Sequence, residues 1–126
     1  MISGKYFFYE NLVFKKWDKD LSALNNGKCM FYRSGITSFE GDLSSLVDGN
    51  NMFCWTDLLS FSTTNLLKLE IGDHMFSLKQ YPSGSMTSFT YNLPVLTTAK
   101  YMFNKCIDLT TFESSLVSLS EAYCMF

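Results

Sequence analysis

The sequence predicts a mainly β fold with short helical turns, in which about five coils, each with one short strand, stack into a solenoid. Two repeated patterns predict this architecture. The dipeptide Met-Phe recurs at intervals of 22, 23, 27 and 23 residues, and a fixed pattern of Leu and Gly or Ala precedes each copy. The composition agrees, because 17% aromatic and 17% charged residues are typical of a folded domain and not of a disordered chain.

The repeated unit reads Leu-x-x-Leu-x-x-[Gly/Ala]-x-x-Met-Phe, from residues 21–31 in its first copy to residues 116–126 in its last. A second block lies between consecutive copies: an apolar residue, two residues that are mostly Ser or Thr, then Phe. Its copies are 36–39, 58–61, 86–89 and 109–112, with a degenerate copy at 11–14. Phe7 and Phe8 are interpreted as the remnant of a sixth Met-Phe pair.

A single amphipathic helix per unit is excluded by geometry. At ~100° per residue the Met would lie about 180° from the first Leu, on the side away from the core. Gly27, Gly49 and Gly72 inside such helices would each cost about 1 kcal/mol. Short strands fit better, because the Phe block is rich in strand formers. The Gly/Ala position allows a tight bend and a close backbone approach, followed by a turn or a single helical turn at Met-Phe.

One coil of this length cannot bury its own apolar side, so neighbouring coils must cover it, with strands ~4.8 Å apart. We therefore expect a single domain over residues 1–126. Its predicted parts are a degenerate capping unit at 1–29, repeats at 30–51, 52–74, 75–101 and 102–124, and the start of a truncated unit at 125–126. The Lys- and Asp-rich segment at 15–20 is expected to form a solvated turn of the cap.

These motifs resemble the BspA-like leucine-rich repeats of bacterial surface antigens. Units of that family carry a Leu-x-x-Ile/Phe strand, a second Leu/Val pair and a Gly-x-x-Ala/Met-Phe-x-x-Cys turn. The similarity covers about residues 11–126, and Cys106 stands where such repeats often place a Cys. The resemblance implies a leucine-rich-repeat solenoid that serves in adhesion or protein binding.

The sequence predicts no catalytic, metal-binding or cofactor-binding residues, and we expect a protein that is not an enzyme. His74 is the only histidine, and the equivalent position tolerates unrelated residues in the other units: Cys29, Asn51, Tyr101 and Cys124. Glu40 and Glu113 share one strand position about three strands apart, or ~15 Å. That separation exceeds the ~9.5 Å limit for the carboxylate pair of a glycosidase.

Cysteine usage and charge indicate the cellular compartment and the classes of partner that the chain can bind. The four cysteines are scattered without a Cys-x-x-Cys pair, which favours buried, reduced thiols. The net charge of −2 predicts no nucleic-acid partner, and no apolar run approaches the ~20 residues of a membrane span. The N-terminal residues lack the features of a signal peptide. We expect a cytoplasmic protein, or a cell-surface one if this chain is part of a longer exported protein.

The candidate partner-binding residues flank the inward-facing Phe of each strand, because alternate side chains of a strand point to opposite faces. They are Ser38, Glu40, Ser60, Ser62, Ser88, Thr90, Thr111 and Glu113, with Val13 and Lys15 in the degenerate copy. Two aromatic candidates join them. Trp55 occupies a position that we expect to face solvent, and Tyr81 begins an inserted segment, 81–85, in the third coil.

The last coil is expected to present an unpaired edge, which invites association with another chain. The residues of this candidate association edge are Thr110, Phe112, Leu116, Leu119 and Met125, with Thr111 beside them. A homodimer through the C-terminal coil, or docking onto a partner, is the predicted assembly. The N-terminal unit is expected to act as a cap.

The sequence favours a non-enzymatic protein–protein interaction module built on a leucine-rich-repeat scaffold. Two alternatives stay open. One is a small phage or mobile-element protein that binds and inhibits a host enzyme. The other is a glycan-binding or adhesin surface module that uses Tyr81, Tyr91 and Trp55 as platforms for sugar rings.

Overall fold

Short parallel strands joined by turns make up residues 2–126, the part of the chain that the computed structural model describes. The strands are β1 (Ile2–Ser3), β2 (Lys16–Trp17), β3 (Leu24–Asn26), β4 (Ser38–Phe39), β5 (Ser60–Phe61), β6 (Ser88–Phe89) and β7 (Thr111–Phe112). They form three small parallel sheets, β1-β3, β2-β4-β5 and β6-β7, none of which closes into a barrel. The prediction of a mainly β fold is confirmed. Residues 2–126 contain no helix long and apolar enough to cross a membrane.

Strands β4 to β7 coincide with the Phe blocks of the sequence and pair in the register of the repeat. Ser38 pairs with Ser60 and Phe39 with Phe61 in parallel orientation. Ser88 pairs with Thr111 in the same way. Equivalent residues of consecutive units therefore lie side by side, so one backbone geometry serves each of these blocks.

A second line of parallel pairing runs through the units, although we expected only one strand in each. It consists of isolated bridges that join Asn26, Asp48, Ile71, Thr98 and Glu121 in succession. β3 extends this line to β1 at the N-terminal end. Neighbouring units are thus paired just before the Gly/Ala position and, except between β5 and β6, in the Phe block as well.

The short helical turns expected at Met-Phe are absent from residues 2–126. Every second N–H of the segment donates to a carbonyl of the following unit, as Gly27 does to Asp48 and Phe31 to Met52, each at 2.9 Å. Of the N–H groups between them, that of Lys28 donates to Oδ1 of Asn26, and those of Met30 and Tyr32 donate to carbonyls three residues back. Cys29 has a φ of 55° and Arg33 one of 54°, in the left-handed region. The segment is a run of tight turns whose free N–H groups are satisfied by the next unit and not by a helix.

The core is built around two rows of aromatic rings. One row stacks face to face, with centroid separations of 5.3 to 5.7 Å and interplanar angles of 2 to 13°. Its members are Phe8, Phe31, Phe53, Phe76, Phe103 and Phe126. The strand Phe residues form the second row and meet the first edge-on, as Phe39 meets Phe53 at 5.0 Å and 71°. Edge-to-face pairs are a favoured geometry of aromatic rings. Phe8 therefore takes the Phe place of the first unit in this row, whereas Phe7, at the Met place, is exposed.

Glycine recurs three residues before Met-Phe in several units because neighbouring units pack closely at this position. A Cβ built on Gly27 would lie 2.8 Å from Sδ of Met52, and one on Gly49 would lie 2.7 Å from Sδ of Met75. The close backbone approach expected at this position is confirmed. The glycines do not supply the left-handed bend, however, because none of the described glycines has a positive φ.

The first unit differs from the prediction. Trp17 pairs with Phe39, so the degenerate copy of the Phe block is 14–17 and not 11–14. The ring of Trp17 meets Phe31 edge-on at 5.9 Å, which is the place a strand Phe takes in later units. The segment 15–20 therefore contains β2 and is not only a solvated turn. Val13 is 88% exposed and Phe7 72% exposed, so this unit shields the N-terminal end only in part.

The Phe-block sheet is interrupted between β5 and β6, at the unit with the inserted segment. No main-chain hydrogen bond joins these two strands, and the ring separation of Phe61 and Phe89 widens to 6.4 Å. The hydroxyl of Tyr91 instead accepts the N–H of Thr63 at 3.2 Å. The longer connection is held at its far end, where Ser85 donates its N–H to the Asp108 carboxylate at 3.0 Å.

Candidate interaction surfaces

The residues that flank the strand Phe side chains form a polar surface, here called the strand face. Ser38 is half-buried and the other members are exposed: Glu40, Ser60, Ser62, Ser88, Thr90, Thr111 and Glu113. The strand register brings them together in two groups, with Ser38 beside Ser60 and Ser88 beside Thr111. Lys16, beside Ser38, takes the place expected for Val13.

The first group of the strand face borders a shallow groove of about 270 Å³ between residues 40–42 and 62–64. The hydroxyl of Thr63 accepts the N–H of Leu43 at 2.8 Å, which fixes the two walls relative to each other. Asp42 accepts the N–H of Ser44 at 2.8 Å, and this bond lowers the pKa of its carboxyl below the usual value. The groove therefore presents hydroxyl groups and carboxylates, Glu40 among them, to solvent.

A second groove, of about 180 Å³, divides the strand face where the sheet is interrupted. Its walls are residues 59–61 and 86–88. In the preceding pair of units, the N–H groups of Leu59 and Ser62 donate to Thr37 and Phe39. The equivalent bonds are absent between these two walls.

Trp55 and Tyr81 do not belong to the strand face. Trp55 lies in the turn segment after Phe53, with the Arg33 guanidinium 5.5 Å from its ring centroid, and it is 48% exposed. Tyr81 is 83% exposed on the inserted segment. The position of Trp55 is not uniformly solvent-facing, because Leu78, its equivalent in the next unit, is buried.

Sequence reasoning missed an aromatic strip beside Trp55. Tyr6 meets Tyr9 at 5.7 Å, and Tyr9 stacks on Tyr32 at 5.2 Å. Arg33 follows Tyr32 directly and reaches Trp55 in the next unit. We call Tyr6, Tyr9, Tyr32, Arg33 and Trp55 the turn strip. A signal for part of it was present in the sequence, because Tyr follows the Phe of the first ring row at both Phe8-Tyr9 and Phe31-Tyr32.

The candidate association edge is less buried than its equivalents in the preceding unit. Thr110 and Thr111 are exposed, and Met125 is buried. The other members, Phe112, Leu116 and Leu119, are half-buried, whereas their equivalents Phe89, Leu93 and Leu96 are at most 1% exposed. Binding of a second copy through this edge stays a prediction. Sedimentation of the wild-type chain and of the Thr111→Lys and Leu119→Lys variants tests it.

The thiols occupy different environments. Cys29 and Cys54 are buried, Cys106 is half-buried and Cys124 is exposed, so the prediction of burial is wrong for Cys124. Burial raises the pKa of Cys54 and of Cys106 to about 12, which keeps these thiols protonated and weakly nucleophilic. Cys106 also donates to the carbonyl of Phe76 at 3.3 Å.

The single histidine belongs to an aromatic cluster. The His74 ring stacks on Tyr101 at 4.9 Å, and Tyr101 meets Tyr123 edge-on at 5.4 Å. The hydrogen bond to Tyr123 raises the pKa of Tyr101 to about 12. Within residues 2–126, no group of three or more His, Cys, Asp or Glu side chains is placed to hold a metal ion.

Comparisons of the chain with models of protein families, with curated proteins and with solved structures found no match. The chemistry and geometry of the surfaces described above are therefore the basis of the functional proposal.

Proposed function

We propose that this chain is a leucine-rich-repeat solenoid that acts as a non-enzymatic protein–protein interaction module. Support for the solenoid comes from parallel pairing between equivalent residues of consecutive units, in two lines. The rows of stacked rings add a third link between units. Such coupling between neighbours is how repeat proteins bury a core that no single unit has alone.

The binding proposal rests on the strand face, which is exposed and whose residues are held in register by parallel strand pairing. Main-chain bonds to the neighbouring unit hold its residues, as the Ser62 N–H does in donating to Phe39 at 2.8 Å. Short hydroxyl side chains have few rotamers to lose, and a fixed backbone loses little entropy on binding. The face therefore offers hydrogen-bond donors and acceptors to a partner at a low ordering cost.

A charge-insertion experiment tests this proposal. Ser62→Lys places a long charged side chain in the strand face, and Leu67→Lys places the same group at a half-exposed position of the Leu-x-x-Leu segment. We expect affinity capture with mass spectrometry to retain one protein on the wild-type chain and on Leu67→Lys, but not on Ser62→Lys. Equal capture by all three chains, or capture of no protein above background, would contradict the proposal.

Two alternatives have tests of their own. A phage or mobile-element inhibitor would be the same module with a host enzyme as its partner, and it predicts that the chain inhibits the enzyme that it captures. A glycan-binding module has less support, because Tyr91, one of its expected platforms, is packed edge-on against Phe61 and Phe89. Binding on a glycan array that Tyr81→Ala abolishes would favour it.

A further inference from the structure

We propose that the turn strip is a second docking surface, which binds an acidic segment of a partner protein that also carries aromatic side chains. The strip is distinct from the strand face, since its residues all follow the Gly/Ala position of their units. It joins three consecutive units through side-chain contacts. This inference goes beyond the proposed function because it names another surface and the chemistry of its occupant.

The composition of the strip is that of an interface centre. Tyr, Trp and Arg are the residues most enriched among those that dominate binding energy. Tyr6, Tyr9 and Trp55 are 44 to 48% exposed, so each offers ring surface to a partner while the rest of the ring is packed. Aromatic side chains contribute a large contact area with only two side-chain torsions to order.

The backbone beneath the strip is held in place. Arg33 and Trp55 have φ values of 54° and 60°. Their N–H groups donate to Cys54 at 2.9 Å and to Ser77 at 2.8 Å, both in the following unit. A left-handed residue with a main-chain bond to the neighbouring unit has little freedom to move, so the strip is preorganised for a ligand.

The charge around the strip selects an acidic occupant. The turn segments at 4–11, 27–34 and 49–56 contain Lys5, Lys28 and Arg33 against Glu10, which gives a net charge of +2 in a chain whose net charge is −2. Lys5 lies 5.3 Å from the centroid of the Tyr6 ring. Lys5 and Arg33 lie over the faces of aromatic rings, so their N–H groups that point away from the rings are available to a partner. Carboxylates are the strongest hydrogen-bond acceptors for such groups.

Glu10 does not saturate Arg33. Their side chains are 3.5 Å apart and both are 51% exposed, and an ion pair this exposed contributes little. The guanidinium has five N–H donors, so a partner carboxylate can bind beside Glu10 or replace it. Apolar or aromatic side chains of the same partner would cover the free ring edges of Tyr9 and Trp55.

Defined polymers test the proposal without knowledge of the natural partner. The probes are a fluorescein-labelled random Glu-Tyr copolymer, poly-Glu and a Lys-Tyr copolymer, and the readout is fluorescence anisotropy against the full chain. We expect the Glu-Tyr copolymer to bind more tightly than poly-Glu, and the Lys-Tyr copolymer not to bind. Arg33→Gln and Trp55→Ala should each weaken binding of the Glu-Tyr copolymer about tenfold, whereas Arg33→Lys should lose less.

Matched controls separate the strip from general charge and from the strand face. Lys105→Gln removes a cation at the position equivalent to Arg33, and Tyr81→Ala removes an exposed aromatic elsewhere. Both should bind like the wild type, as should Ser62→Lys. Loss of binding in the controls, equal binding by poly-Glu, or wild-type binding by Arg33→Gln would overturn the proposal. Self-association of the chain that Trp55→Ala abolishes would assign the strip to a second copy and overturn it as well. Since Ser62→Lys tests the strand face alone, either surface can fail independently.

Discussion

Replacement of Phe53 by Ala tests how strongly the ring rows couple the units. Phe53 is fully buried, between Phe31 at 5.3 Å and Phe76 at 5.7 Å. Two strand rings, Phe39 and Phe61, meet it edge-on at 5.0 and 5.7 Å. The substitution therefore removes four ring contacts at once and leaves a cavity that spans three units.

The expected loss follows from burial and contacts. Truncation of a buried Phe to Ala costs about 3–5 kcal/mol, and we expect the upper part of this range because aromatic pairs add to area burial. Phe126 lies in the same row but is 65% exposed, and its ring pairs with Phe103 and Phe112. Phe126→Ala should cost about 1 kcal/mol, since roughly a third of its ring surface is covered.

Urea unfolding followed by circular dichroism measures the difference. With a slope of about 2 kcal/mol per molar urea, Phe53→Ala should lower the midpoint by about 2 M and Phe126→Ala by about 0.5 M. Phe53→Leu should fall between the wild type and Phe53→Ala, and it keeps the test valid if the Ala variant does not fold. Equal midpoint shifts for Phe53→Ala and Phe126→Ala would refute the coupling of units through this row.

Three further predictions address the turns, the thiols and the interrupted sheet. Lys105 has a φ of 66°, so Lys105→Gly should be more stable than Lys105→Ala by about 1 kcal/mol in thermal unfolding, and the reverse order would contradict the left-handed turn. The raised pKa values of Cys54 and Cys106 mean that the folded chain keeps protons which the unfolded chain releases above pH 9. The free energy of unfolding should therefore fall between pH 9 and 12, by at most about 1.4 kcal/mol per pH unit for each thiol, and the fall should flatten in Cys54→Ala. Tyr91→Phe should speed hydrogen exchange at the Thr63 amide about fivefold, because the lost hydroxyl is its acceptor at 3.2 Å, and unchanged exchange would remove this bond from the account.

The positions of β4 to β7 could be predicted from the sequence because the Phe blocks recur with a fixed chemical pattern. The second line of pairing could not, since its members, such as Asp48 and Ile71, pair through main-chain atoms and share no side-chain chemistry. The sequence also does not predict which residues adopt the left-handed conformation. Positions such as Cys29 and His74 carry no Gly, and bonds to the next unit impose the φ that the residue type disfavours.

The candidate surfaces also differ in how far the sequence predicts them. The strand face could be predicted because strand alternation places residues beside Phe39 and Phe61 outward. The turn strip could be predicted only in part. Tyr9 and Tyr32 hold equivalent positions in the sequence, but the contact of Arg33 with Trp55 depends on the turn geometry of two units. The first unit was misplaced because Phe14 and Trp17 are both aromatic, and only pairing with β4 shows that Trp17 takes the strand position.

Nuclear Overhauser contacts between backbone protons of residues one repeat apart measure parallel stacking of the units. Parallel stacking predicts strong contacts between Ser38 and Ser60 and between Ser88 and Thr111, and much weaker ones between Ser60 and Ser88, where the sheet is interrupted. Absence of contacts between paired units, or helical contacts between residues three apart through the Leu-x-x-Leu segments, would contradict it.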